Sequence, residues 1–425
     1  MNSVEKFLDD HKLLASTFSM QSLVDDFNVE MLNGLQGKDS SLRMIPTYIE
    51  ADNEFATEVP VVAIDAGGTN FRAALTKFNK HGKLVISDVQ NFRMPGIDGE
   101  VTIAEFFKII VGYIQNYAEK AERIGFCFSY PTEIMKNKDG VLLQFCKEVQ
   151  APEVVGQLIG QNLLEALGMP SKPIVLLNDT VATLLAGKSA SFGKSYDSFI
   201  GFILGTGTNT CYIESNEELI KVNGLNVTYS QIVNIESGNF SKAPRTDIDL
   251  IFDSKTSNPG NYTFEKMFSG GYLGGLCLTA LKTAGQENVF SPESRQIHDI
   301  KELSTEVVNN YLIGHASENV LERIFSNVND AQNCRRIIEA LIERAAKLAA
   351  SNIAAVILKT NKGKSIEKPI LITVEGTTFY KLNKLKDQFE YFLDNYLSGE
   401  KKRYFKLTQV EQSSLTGAAL AALIE

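Results

Sequence analysis

The sequence predicts an α/β protein made of two similar domains with a cleft between them. Three observations predict it. The same order of elements occurs twice along the chain: short strands linked by turns, then helices alternating with single apolar strands. Each copy carries a Gly-Thr turn at the equivalent point, Ala66–Asn70 in the first half and Gly205–Thr208 in the second. The chain has 425 residues, 44% hydrophobic and 22% charged, enough to bury large cores without disulfide or metal staples.

In the N-terminal segment Leu23 or Val24, Phe27 and Met31 recur at helical spacing, and Gly34 is placed to cap the helix end. A looser stretch, 38–58, leads into a β-patterned block in which Val61–Asp65, Phe71–Phe78 and Leu84–Val89 read as strands. Ile103, Phe106, Phe107, Ile110, Tyr113, Ile114 and Tyr117 share the apolar side of an amphipathic helix. A buried strand over Ile124–Ser129, a loop, a helix over Glu153–Leu167, a strand over Ile174–Leu177 and a helix from Asp179 complete the first copy. The second copy opens with strands Phe199–Leu204 and Asn209–Glu214 and further β pattern to Glu236. Helices are then predicted over Phe264–Ala284 and Asp299–Leu358, and a strand over Ile370–Val374. A helix over Leu382–Tyr396, a strand over Tyr404–Thr408 and a last helix over Ser414–Ile424 follow.

Composition narrows the function. Net charge is −9, from 42 basic and 51 acidic residues with no long run of either sign, whereas nucleic acid or an anionic membrane demands a basic patch. The four His (His11, His81, His298, His315) are scattered, which disfavours a His-rich metal site. Five Cys without a CxxC pair suit a reducing compartment. The N-terminus carries charges where a signal peptide needs an apolar core, and the apolar stretch Leu341–Leu358 contains Glu343, Arg344 and Lys347. A soluble, intracellular protein is expected.

The turns Asp65-Ala66-Gly67-Gly68-Thr69-Asn70 and Gly205-Thr206-Gly207-Thr208-Asn209 each lie between two strands. Walker and dinucleotide-binding loops open onto a helix instead. Glycines there let a phosphate approach backbone N–H groups, and Thr69, Asn70 and Arg72 add side-chain donors. Asp65 can hold Mg²⁺ directly or through water. Alone, either turn reads equally well as a tight hairpin. Paired at equivalent points of a repeat, they read as two phosphate clamps facing across a cleft, which suits a nucleoside triphosphate. Asp179, just past an apolar strand, reads either as a helix N-cap or as a general base.

At these residues the chain resembles the hexokinase family, the eukaryotic-type sugar kinases of the actin-like ATPase superfamily. The resemblance begins near Phe27 with FNVEMLNGL and LRMIPTYIE and continues through VVAIDAGGTNFRAAL, IGFCFSYP, LLQFCKEV and LLNDTVATLLAG. ILGTGTNTCYIE, VNIESGNF, PRTDIDLIFD and NPGNYTFEKMFSGGYLGGL extend it through the second half. It implies two RNase H-like domains, a smaller one of 60–178 plus 411–425 and a larger one of 1–56 plus 179–410. It also implies transfer of the ATP γ-phosphate to the 6-hydroxyl of a hexose, with glucose first and mannose or fructose as others.

The roles carry over residue by residue. Asp179 matches the general base, with Lys147 and Arg72 steadying the phosphoryl group. Ser129, Cys146, Lys147, Asn178, Asp179, Asn209, Glu236 and Glu265 match sugar contacts. Asp65, Gly67, Gly68, Thr69, Asn70, Arg72, Thr206, Gly207, Gly376, Thr377 and Ser414 match nucleotide contacts, and Asp65 the Mg²⁺ position. The implied partners are a hexose and ATP, with no nucleic acid and no membrane, for a cytoplasmic monomer or homodimer.

Four departures from the family pattern stand out. Phe145-Cys146-Lys147 replaces Trp-Thr-Lys, and Glu236-Ser237-Gly238 replaces Glu-Trp-Gly. Gly275 stands where glutamate is common, and Leu415 interrupts a glycine-rich pattern. Two other classes stay open on the residues alone, a hexokinase-like sugar sensor with little catalysis and an actin- or chaperone-like ATPase that uses the same fold without sugar.

Overall fold

Val61, Val62, Ala63 and Ile64 are all buried, the pattern of a strand covered on both faces. The computed structural model, which describes residues 3–50, 55–145, 148–314 and 319–424, places them at the centre of a sheet. The strands of the first half and its preceding connector are β1 (Ile45–Pro46), β2 (Val61–Gly67), β3 (Asn70–Phe78), β4 (Leu84–Arg93), β5 (Arg123–Phe128), β6 (Thr132–Ile134), β7 (Gly140–Leu142) and β8 (Ile174–Leu177). The second half adds β9 (Ser198–Leu204), β10 (Thr208–Ser215), β11 (Ser230–Asn234), β12 (Ile370–Glu375) and β13 (Phe405–Thr408).

The duplication read from the sequence is present in the topology. One sheet runs β4-β3-β2-β5-β8 and the other β1-β11-β10-β9-β12-β13. In the first, two antiparallel pairings are followed by two parallel ones, and the second repeats this pattern from β11 onward. The extra strand β1, which lies in the stretch read as loose, pairs antiparallel with β11. β6 and β7 form a small separate hairpin inside the segment read as a loop.

Two helices, Asp179–Ala190 and Ser413–Ala421, lie together between the sheets. Val181, Leu184 and Leu185 of the first and Leu415, Ala418 and Leu420 of the second share one core with Val61 and Ala63 of β2, Cys211 of β10 and Ile232 of β11. Close approach here depends on missing side chains. A β-carbon on Gly125 would overlap the Ala418 carbonyl, and one on Gly417 would overlap the Ala182 carbonyl. Beyond the second sheet, the helix Val328–Thr360 buries Arg344, which pairs with Asp249 through bonds of 2.8 and 2.7 Å. No described helix is long and apolar enough to cross a membrane.

Several boundaries differ from the sequence reading. Gly34 lies inside the helix Met20–Leu35 rather than capping it, because a β-carbon there would collide with the Leu42 carbonyl and Met44. The helix expected over Glu153–Leu167 is a 3₁₀ turn, Pro152–Val154, then Ile159–Ala166, broken at Gly156 with φ 83°. The expected Phe264–Ala284 helix is likewise a 3₁₀ turn, Glu265–Met267, followed by Leu273–Gln286. The span Asp299–Leu358 separates into Thr305–Ile313, Val320–Ile324 and Val328–Thr360, each with its own Ser or Asn cap.

Candidate active site

Strand ends and helix starts of both halves converge on a cavity of about 290 Å³, near the lower end of the range for small-molecule pockets. Its wall includes Ser129 after β5, Asn178 and Asp179 after β8, Gly207 and Asn209 at the start of β10, Glu236 after β11, and Glu265. Every described residue expected to touch a sugar is therefore brought together. Cys146 and Lys147 lie outside the described residues.

At Asp179 the cap is supplied by the residue before it. Asn178 is the N-cap, its Oδ1 accepting from Val181 N at 2.9 Å, so Asp179 is the first helical residue and is not needed as the cap. Asp179 Oδ1 accepts from Thr180 N at 2.7 Å and from Thr180 Oγ1 at 3.2 Å. Burial pushes its carboxyl up to about 6; the Thr180 hydrogen bonds oppose that shift, while the charges of Glu236 and Asp65 add to it.

Across the cavity the polar groups are held in fixed directions. Asn209 Nδ2 donates to Asn234 Oδ1 at 2.9 Å and to Glu236 Oε1 at 3.0 Å. Asn234 Nδ2 donates to the same Glu236 oxygen at 2.7 Å. Glu265 Oε2 accepts from Thr208 N at 2.8 Å, in a space that a β-carbon on Gly207 would invade to 2.6 Å. Burial pushes the Glu265 carboxyl up to about 7, against the Thr208 hydrogen bond and with the Glu236 charge. Its neighbour Lys266 is buried and anchored to Asp253 Oδ1 at 2.5 Å, Thr256 Oγ1 at 2.8 Å and Asn258 O at 2.7 Å. That anchor fixes the 3₁₀ turn from which Glu265 projects. The cavity thus offers the paired donors and acceptors that vicinal hydroxyls require.

The second glycine turn lines this cavity, and the first lies beside its wall at Ser129. In the first, Gly68 has φ 59°, and Gly68, Thr69 and Asn70 are exposed at the tip. Arg72 donates from Nε to Asp65 Oδ2 at 2.9 Å and also from Nη2 to the same oxygen. In the second, the backbone carbonyls of Gly205 and Thr206 accept from Gly270 N and Gly271 N, both at 2.8 Å. Thr378 Oγ1 donates to the Gly205 carbonyl at 2.9 Å, and Gly376 has φ 120°. Thr206 and Thr377 are exposed, and Ser414 is half-buried.

Some partners here were not legible in the sequence. Thr378 braces a turn that lies far away in sequence, and Ser413, rather than Ser414, donates to Glu375 Oε2 at 2.9 Å. Glu375 ends β12 and feels the charges of Arg72 and Asp65. Arg43 and Tyr262 line the cavity as well. The family-pattern departures also find places. Phe145 packs its ring 5.1 Å from Tyr130 and 5.6 Å from Phe106, keeping an aromatic in the first core. Gly275 faces the Phe252 ring, 2.6 Å from where its β-carbon would be, and Leu415 is buried between the sheets.

Asp65, half-buried near the end of β2, is the carboxylate beside the first turn that could share a Mg²⁺ with nucleotide phosphates. No group of three His, Cys, Asp or Glu among the described residues forms a metal cage, and Mg²⁺ bound with a nucleotide needs only one or two carboxylates.

Comparison with known proteins points the same way. Two family models, each described as Hexokinase, match residues 3–189 and 199–424. Hexokinase-3 of Oryza sativa subsp. japonica is 29% identical, the alignment covering 95% of this chain and 87% of the relative. Hexokinase-2 of Schizosaccharomyces pombe is 28% identical, covering 99% and 96%. A hexokinase structure from Schistosoma mansoni, complexed with glucose, superposes with a TM-score of 0.79 at 23% identity, covering 99% of this chain and 98% of that one. With one family model on each half and relatives aligned over nearly the whole length, the chain belongs to the hexokinase family, a sugar kinase with the actin-like two-domain fold.

Proposed function

We propose that the protein transfers the γ-phosphate of ATP to the 6-hydroxyl of a hexose, with glucose the first candidate. The observation that carries this reading is the position of Asp179, a carboxylate freed from capping at the wall of a hydroxyl-matched cavity. Such a carboxylate can accept the proton of a primary alcohol, a poor nucleophile until that proton is taken. Asn209, Glu236 and Glu265 orient the ring, with Asn178 and Ser129 as further contacts. Cys146 and Lys147 keep the sugar-contact roles that the resemblance assigns, and Lys147 and Arg72 steady the phosphoryl group.

Gly67, Gly68, Thr69, Asn70, Thr206 and Gly207 cradle the phosphates, and Gly376, Thr377 and Ser414 face the adenosine. Arg72 changes partner from Asp65 to phosphate when the nucleotide arrives. Asp65 would hold Mg²⁺, which when bound neutralises charge on the phosphates. Residues 60–178 with 411–425 act as one rigid body, and 1–56 with 179–410 as the other. Closure between them would exclude water, which otherwise competes as acceptor.

The test is ADP release measured with glucose, mannose and fructose at saturating Mg·ATP. Sugar-stimulated release is expected, with Asp179→Ala still folding and binding sugar while turnover falls at least about 10²-fold. Near wild-type turnover in Asp179→Ala would sink the assignment of the base. ATP hydrolysis indifferent to every sugar would sink the kinase reading.

A further inference from the structure

Beneath the sugar contacts lies a polar cluster that the proposed reaction does not use. Thr210, Ser237 and Asn352 are fully buried. Asn352 comes from the long helix Val328–Thr360, and its Nδ2 donates to Thr210 Oγ1 at 2.7 Å. Ser237 Oγ donates to the same oxygen at 3.2 Å.

The backbone of these partners grips the sugar-contact residues directly. Thr210 N and Ser237 N both donate to Asn209 Oδ1, at 2.7 and 3.2 Å. That leaves the Asn209 Nδ2 group aimed at Asn234 and Glu236. Glu236, one residue before Ser237, has φ 60° and ψ 48°, a left-handed conformation unfavourable for a residue with a β-carbon. Two contacts that must point into the cavity therefore stand on residues joined through the Thr210 hydroxyl.

Asn352 is badly accounted for as packing. Its Oδ1 is buried with no hydrogen-bond partner among the described residues, and exchanging the amide oxygen and nitrogen would only move the orphan to nitrogen. An unpaired buried polar atom costs stability, so an apolar side chain would suit this helix core better. Ser237 is also the residue that stands where the family pattern has Trp; here the position is polar and linked to Asn352 through Thr210.

We propose that Asn352 is a positioning residue for the sugar, acting through Thr210 and Ser237 to aim Asn209 and Glu236. The proposal rests on the hexose-kinase reading of the cavity. Asn352 is not part of the cavity wall, so its effect reaches the sugar only through those residues.

The test is calorimetric titration and steady-state kinetics on wild type, Asn352→Leu and Thr210→Val, using the hexose that wild type phosphorylates best. In both variants Kd and KM for the sugar are expected to rise about tenfold, with the nucleotide KM unchanged. Asn352→Leu is expected to melt no lower than wild type. If it does not fold, Asn352→Ala and Thr210→Val carry the same measurement. Sugar affinity within about twofold of wild type in the folded variants overturns the proposal, as does an equal loss of sugar and nucleotide affinity. A wild-type chain that neither binds nor phosphorylates any hexose overturns the kinase reading together with this one, so the two failures are distinguishable.

Discussion

At Asp179, burial raises the carboxyl to about 6, well above its ordinary value of 3.8. A base with that value accepts a proton only once ionised, so kcat/KM for the sugar is expected to climb through about pH 6 and level off above it. A pH–rate profile flat from pH 5 to 8 would contradict this assignment. Stability runs the other way. The folded pKa exceeds the unfolded one, so the ionised carboxylate weighs against the fold above about pH 6, and that burden lifts as pH falls toward 3.8. Asp179→Asn is therefore expected to raise the melting temperature at neutral pH by about 2 °C or more while turnover collapses, a trade seen by calorimetry beside an activity assay. Residue types and spacing made Asp179 legible as a candidate but left it between cap and base; the Asn178 Oδ1 contact removes the cap reading and leaves the base as a proposal. Thr378, Ser413 and Glu375 lie in segments the resemblance had marked, but their particular partners were not legible, and Asn352 left no trace at all, because each acts on a partner distant in sequence.

The final helix, Ser413–Ala421, shows how an element can be demanding without a strong periodic signal. It is buried on nearly all sides, with Leu415, Thr416, Gly417, Ala418 and Ala419 all enclosed, so its sequence carries no polar face to read. Gly417 lies against the Ala182 carbonyl of the companion helix. Gly417→Val is expected to force the two helices apart, costing about 1–3 kcal/mol or more in urea unfolding and displacing Ser413 from Glu375. A variant with wild-type midpoint and nucleotide KM would refute that. Most strands of the two large sheets were legible to within a few residues because alternation and apolar runs are local, whereas the two- and three-residue strands β1, β6 and β7 were too short to show a period. Helices were overextended because isolated 3₁₀ turns such as Glu265–Met267 keep helical spacing while their backbone turns aside. That misreading matters here, since the turn is what delivers Glu265 to the cavity.

For the molecule as a whole, the repeated sheet order was visible as a repeated order of elements, whereas the way the halves share a core was not. Val61 and Ala63 of one sheet and Cys211 and Ile232 of the other meet through residues of the two enclosed helices. Relative motion of the sheets must pass through that shared layer. Saturating sugar is expected to lower the radius of gyration in solution scattering, and unchanged scattering at full occupancy would argue against closure. The same layer has a consequence for how the protein is made. The strands β2 to β8 leave the ribosome early, but the helix that covers β2 and β5 follows only after the entire second half has been synthesised. Until then Val61, Ala63 and Cys127 lack part of their cover, so the first half cannot close its core before residues 413–421 are made.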